Sequence, residues 1–120
     1  MTVKECYDAM GADYEDVMRR LRTDDRVKKF LLRLLDDKSF EMLKNAMAQK
    51  NMEEVFRAAH TMKGVGQNLS LTRLYESAAT LSDEVRDNKT YREELEALFA
   101  QIKETYDLTI SSIQKLKDEG

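Results

Sequence analysis

At 120 residues the chain is long enough to bury one core and too short for two. Its 42% hydrophobic and 36% charged residues, with no proline and four glycines, suit amphipathic helices that run uninterrupted. The net charge of −3 is interspersed, which argues against the basic stripe of a nucleic-acid binder, and the single cysteine, Cys6, excludes an internal disulfide or a cysteine-based zinc site within one chain.

The opening segment MTVKECYDAM lacks the apolar core of a signal peptide, and charges break every apolar run before membrane-spanning length. The expectation is a soluble, reduced, cytoplasmic protein with no membrane contact. Val3, Cys6, Tyr7 and Met10 share one face of a short first helix that Gly11 stops. Asp13 is positioned to cap a second helix with Tyr14, Val17, Met18 and Leu21 inward. In TDDRVKKFLLRLLDDKS, the residues Val27, Phe30, Leu31, Leu34 and Leu35 form the next stripe. Ser39 is expected to cap the helix that carries Phe40, Leu43 and Met47.

QKN at 49–51 closes that helix, and Asn51 can cap its successor, whose inner stripe reads Met52, Val55, Ala59, Met62 and Gly66. NLSLT at 68–72 is a short connection. Leu74, Ala78, Leu81 and Val85 define a further helix, ended by DNKT. Tyr91, Leu95, Leu98, Ile102, Tyr106, Ile113 and Leu116 line a last helix of roughly 40 Å. No strand alternation appears. The expected fold is all-α: an antiparallel up-down four-helix bundle whose core elements start near Ser39, Met52, Thr72 and Tyr91, with the short N-terminal helices covering one end of a single domain, 1–120.

The chain has one histidine, His60. A lone histidine on a helix is commonly a hydrogen-bonded structural residue. At about 100° per residue, however, His60 lies about 140° from the centre of its helix's apolar stripe. It points away from the core. Glu53, Arg57, Lys63, Gly64 and Gln67 fall within roughly 60° of it by the same arithmetic. Gly64 costs roughly 1 kcal/mol of helix stability relative to alanine, and in return bares the surface one turn from the imidazole. Gly66 faces inward, where close packing accounts for it. An exposed lysine usually does nothing but solvate. Beside this histidine, Lys63 has a chemical meaning: a neutral imidazole is a competent phosphoryl acceptor, a nearby cation offsets the phosphoryl charge, and Gly64 leaves room for in-line approach.

The segment AAHTMKGVGQNL resembles the signature of histidine-containing phosphotransfer (HPt) domains of multistep phosphorelays, with His60, Met62, Lys63, Gly64, Asn68 and Leu69 matching it in order. GADYEDVMRRLRTDDRVKKFLLRLL looks like the lead-in of such domains, and LKNAMAQKNMEEVFRAAH like the helix pair before their histidine, so the resemblance covers about 11–115. It implies that His60 is the phosphoacceptor, that Lys63 stabilises the phosphoryl charge and that Gly64 gives steric access. Arg57 and Gln67 are expected to meet the partner. Relatives often have glycine where this chain has Ser70, and commonly a glutamine facing the histidine where an ungapped count puts Ser82. Ser82, and Arg86 one turn beyond, are therefore expected at the partner interface too. The implied partners are response-regulator receiver domains, which bring the Mg²⁺, and a hybrid sensor histidine kinase. The carrier itself has no cofactor, no metal site and no nucleic-acid partner, and acts as a monomer without kinase activity of its own.

The competing reading is a degenerate relative, a helical interaction or scaffold module that never carries phosphate. Enzyme readings are weaker. A histidine-kinase dimerisation helix usually has an acidic residue after its histidine and then a proline, whereas Thr61 follows here. No Gly-rich nucleotide loop, HExxH pair or nucleophile elbow is present. The initiating methionine and the full set of helices favour a free-standing carrier over an excised module.

Overall fold

The computed structural model describes residues 1–119. Its elements are α1 (Val3–Met10), α2 (Tyr14–Leu21), α3 (Asp24–Arg33) continued by a 3₁₀ turn (Leu34–Asp36), α4 (Ser39–Ala48), α5 (Met52–Asn68), α6 (Thr72–Arg86) and α7 (Glu94–Glu119). The described residues contain no strand. The all-α class expected from the spacing is the class observed.

Short polar side chains start the helices by accepting from backbone N–H groups that have no partner within the helix. Thr2 and Glu5 form a reciprocal capping box on α1, and Asp13, Thr23 and Asn51 cap α2, α3 and α5. Gly11 ends α1 in the left-handed region, with φ 63°. Ser39 departs from expectation. It is the first residue inside α4, and its amide and hydroxyl both donate to the Asp37 carboxylate, which takes over the capping role. A second departure is Tyr91, which lies before α7. Its ring packs under Lys50 at 4.6 Å and its hydroxyl donates to Glu96 at 2.7 Å, so it closes the α4–α5 turn against the start of α7.

Consecutive helices from α4 onward pack against one another, most extensively α5 on α6. Directions follow from paired residues. Gly66 of α5 meets Tyr75 of α6, Ser77 of α6 is 3.0 Å from Thr105 of α7, and Arg92 before α7 returns to Glu84 of α6 at 3.1 Å. Phe40 of α4 stacks on Phe99 and Tyr106 of α7, with ring centroids 5.9 and 4.9 Å apart. The last third of α7 is covered by α1, where the Cys6 thiol donates to the Ser112 carbonyl at 3.5 Å. The Tyr7 hydroxyl donates to the Leu69 carbonyl at 2.8 Å, so α1 also closes the end of the bundle at the α5–α6 turn.

The core is continuous through Tyr7, Leu31, Leu43, Met62, Leu81 and Ile113. Phe30, expected on the inner stripe of α3, is instead 36% exposed, with the Arg33 guanidinium 4.9 Å above its ring. α3 buries only the narrow line Val27, Leu31 and, in the turn, Leu34, and Phe30 falls on its shoulder.

Candidate functional site

α5 carries the site because it is buried on one face only. Met52, Val55, Ala58, Ala59, Met62 and Gly66 face the core. Glu53, Arg57, His60 and Gln67 are exposed, and Lys63 and Gly64 are half-buried. The helical wheel thus places His60 correctly, on the outer face. A Cβ at Gly64 would meet no heavy atom within 4 Å, so the space one turn beyond the imidazole is open. A Cβ at Gly66 would fall 2.8 Å from the Tyr75 nitrogen and 2.9 Å from its Cα. The two glycines do opposite work: Gly66 lets two backbones touch, and Gly64 leaves a surface bare.

The cations expected at the site are not equivalent. Arg57 is 3.3 Å from Glu54, and Arg86 donates to Asp83 at 2.8 Å, so each is compensated by a carboxylate of its own helix. Lys63 has no carboxylate oxygen within 4 Å among the described residues, which leaves its charge available on the face of the imidazole. Gln67 is exposed on that face. Ser82 must be corrected. It is fully buried on α6, and its Oγ has no hydrogen-bond partner among the described protein atoms, so it presents nothing to a partner. Counting along the chain gave its position but not its depth. Its place one turn after Ala78 and three residues before Val85 puts it on the inner stripe.

Phe56, which stacks on the histidine, and Lys89, which lies over Phe56, escaped the sequence reading. The Phe56 ring stacks on the His60 imidazole, with centroids 5.6 Å apart and planes 24° from parallel. The Lys89 ammonium lies 5.1 Å from the Phe56 centroid and donates to the Arg86 carbonyl at 2.7 Å. Phe56 could have been found, since it precedes His60 by one helical turn. Lys89 could not, since it arrives from the far end of α6.

The end of α5 is held by a polar knot that explains Ser70. Ser70 has φ 56°, the left-handed conformation for which glycine is the default residue. Its hydroxyl donates to Asp16 at 2.6 Å and accepts from Arg20 at 2.5 Å, and Arg20 also donates to the Gln67 and Asn68 carbonyls at 3.0 and 2.9 Å. These contacts satisfy the last carbonyls of α5 and offset the strained backbone. The Ser70 hydroxyl, with the Arg20 and Arg19 guanidiniums, holds the Asp16 carboxyl far below the usual carboxylate range.

Beside this knot, Leu21, Phe30, Leu34, Val65 and Leu69 line a largely apolar cleft of about 440 Å³, with Arg20 and Arg33 among its walls. No group of three His, Cys, Asp or Glu side chains that could hold a metal ion is gathered among the described residues. What the arrangement offers chemically is one exposed imidazole on a helix, an ammonium on the same face with no carboxylate partner among the described residues, and open space at Gly64.

A family model described as the Hpt domain matches residues 27–111, from α3 through most of α7 and including His60. The match starts later than the expected resemblance, leaving α1 and α2 outside it. No curated protein and no solved structure matches the chain.

Proposed function

Because the chain belongs to the Hpt domain family, the phosphocarrier modules of two-component signalling, we propose that His60 shuttles a phosphoryl group between aspartates of response-regulator receiver domains. The lone-pair nitrogen of a neutral imidazole attacks phosphorus, the P–O bond to the receiver's aspartyl carboxylate breaks, and that carboxylate leaves with the electron pair as the N–P bond forms. The return step runs the same exchange onto a second receiver. The transition state is loose and in line, so the work is positioning and charge stabilisation. The receiver supplies Mg²⁺ and its acidic pocket; this chain supplies the imidazole, the Lys63 charge and the gap at Gly64.

The exposure of His60 beside an open Gly64 carries this reading. Arg57, Gln67 and Arg86 are exposed, which supports assigning them to the partner's rim. The proposal includes action as a monomer in the cytoplasm, with a hybrid sensor histidine kinase upstream, no nucleic-acid partner and no kinase chemistry of its own. No helix among the described residues is long and apolar enough to cross a membrane.

Wild type and His60→Gln incubated with a phosphorylated receiver test it. The expected result is acid-labile, base-stable label on wild type alone, with unchanged circular dichroism in the variant, since an exposed polar exchange rarely destabilises. Label on the glutamine variant would refute His60 as acceptor. Absence of transfer from every cognate receiver would favour the scaffold reading instead.

A further inference from the structure

We propose that Phe56 is a positioning residue for His60, and that Lys89, from the segment between α6 and α7, fixes Phe56 in turn. This rests on the phosphocarrier reading and deepens it by assigning what orients the reactive ring. An exposed histidine on a helix is free to exchange rotamers, because nothing on the solvent side restrains it. In-line transfer needs one ring orientation, with the reacting nitrogen aimed at the incoming phosphorus. The near-parallel contact between Phe56 and His60, at 5.6 Å and 24°, lies in the range of aromatic stacking and selects one side of the ring's freedom.

Phe56 would be a poor platform if it moved too, and two observations say what holds it. Its side chain is half-buried and packs on the core, so its own rotation is restricted. The Lys89 ammonium at 5.1 Å from its centroid is within cation–π distance. That ammonium is not a loose surface charge, because the Arg86 carbonyl accepts from it at 2.7 Å at the end of α6. The order of support therefore runs from the α6 terminus to Lys89, to Phe56, to His60. Arg57 and Arg86 instead pair with Glu54 and Asp83, and Lys89 is the cation over the ring.

The test compares wild type with Phe56→Ala, Phe56→Leu, Phe56→Tyr and Lys89→Met. Single-turnover transfer from a phosphorylated receiver is measured across receiver concentration, alongside thermal melting and the NMR shifts of the His60 ring protons. Phe56→Leu keeps apolar bulk without an aromatic face and so separates burial from stacking. The expected result is a maximal rate lowered about three- to tenfold in the alanine and leucine variants, with the half-saturating receiver concentration unchanged. The same variants lose the ring-current displacement of His60, and tyrosine restores both. Lys89→Met gives a smaller loss of both.

A Phe56→Leu protein that transfers at the wild-type rate overturns the positioning role, as does a rate loss that leaves the His60 ring shifts in place. A Lys89→Met protein slowed with unmoved ring shifts overturns the Lys89 half, because Lys89 then acts on the phosphoryl group directly. A wild type that takes no label from any receiver overturns the carrier reading and the role with it, even where the ring-current displacement is seen. Failure of the inference alone shows as a wild type that takes label normally, together with either of the two outcomes that overturn the Phe56 role.

Discussion

Beside His60 a single missing side chain has separable costs in folding and in transfer. A Cβ at Gly64 meets no heavy atom within 4 Å, so a side chain there can leave the backbone without a clash and regain part of the roughly 1 kcal/mol that glycine costs a helix. Gly64→Leu should melt at or above the wild-type temperature while its transfer rate falls at least about tenfold, since the branched side chain would stand on the approach route proposed for the receiver. Unchanged transfer kinetics would show that the gap is not an approach route. Ser82 gives the opposite case, a residue at the right place in the count and the wrong depth. A fully buried hydroxyl without a partner costs stability, so Ser82→Ala should raise stability by about 1 kcal/mol, read as a higher urea midpoint at constant m. A loss of stability would mean that the hydroxyl is satisfied in solution.

Among the helices, α5 and α6 share the most extensive contact, and Gly66 sets how closely they pack. A Cβ added at Gly66 would lie 2.8 and 2.9 Å from backbone atoms of Tyr75, which cannot swing aside as a flexible side chain would. Gly66→Ala should therefore cost about 1–2 kcal/mol, the strain of overpacking less the gain in helix propensity, measured as a fall in denaturant midpoint. Period-3.6 spacing made α5 legible in advance, including its Asn51 cap and its outward histidine. Ends were harder. Ser39 has the chemistry of a cap, but Asp37 stands two residues earlier and a carboxylate accepts both of its donors. Tyr91 has the spacing of α7 yet is held outside it by Lys50 and Glu96. Phe30 matches the apolar period but sits on a helix too sparsely packed to bury it. Such outcomes depend on contacts from distant segments, which periodicity does not encode. Lys89 over Phe56 is the same kind of contact, and it falls in the site.

Taken whole, the molecule is elongated, 43 × 26 × 19 Å, in keeping with the length of α7, and its two ends are fastened differently. One end is closed by aromatic and cationic contacts around Tyr91; the other by the knot of Asp16, Arg20 and Ser70, together with the Tyr7 hydroxyl on Leu69. The knot has a pH signature. Asp16 is lowered from an ordinary 3.8, so its contribution is complete above that value and is lost as pH falls through the depressed one. Asp16→Asn should lie below wild type in melting temperature at neutral pH, and the gap should close as pH is taken from about 4 towards 2. A gap that stays constant with pH would remove the carboxylate from the account. The knot was foreshadowed only by Ser70 standing where relatives often have glycine, since the residues that make it tolerable come from a helix outside the span that matches the family.

The near-contact of backbones at Gly66 has a mechanical outcome. With no side chain as a cushion between the two helices, the rod that bears the imidazole has no slack along its seat. Sliding or rolling that rod on its neighbour would press Gly66 into Tyr75, so its seat resists displacement along the helix axis.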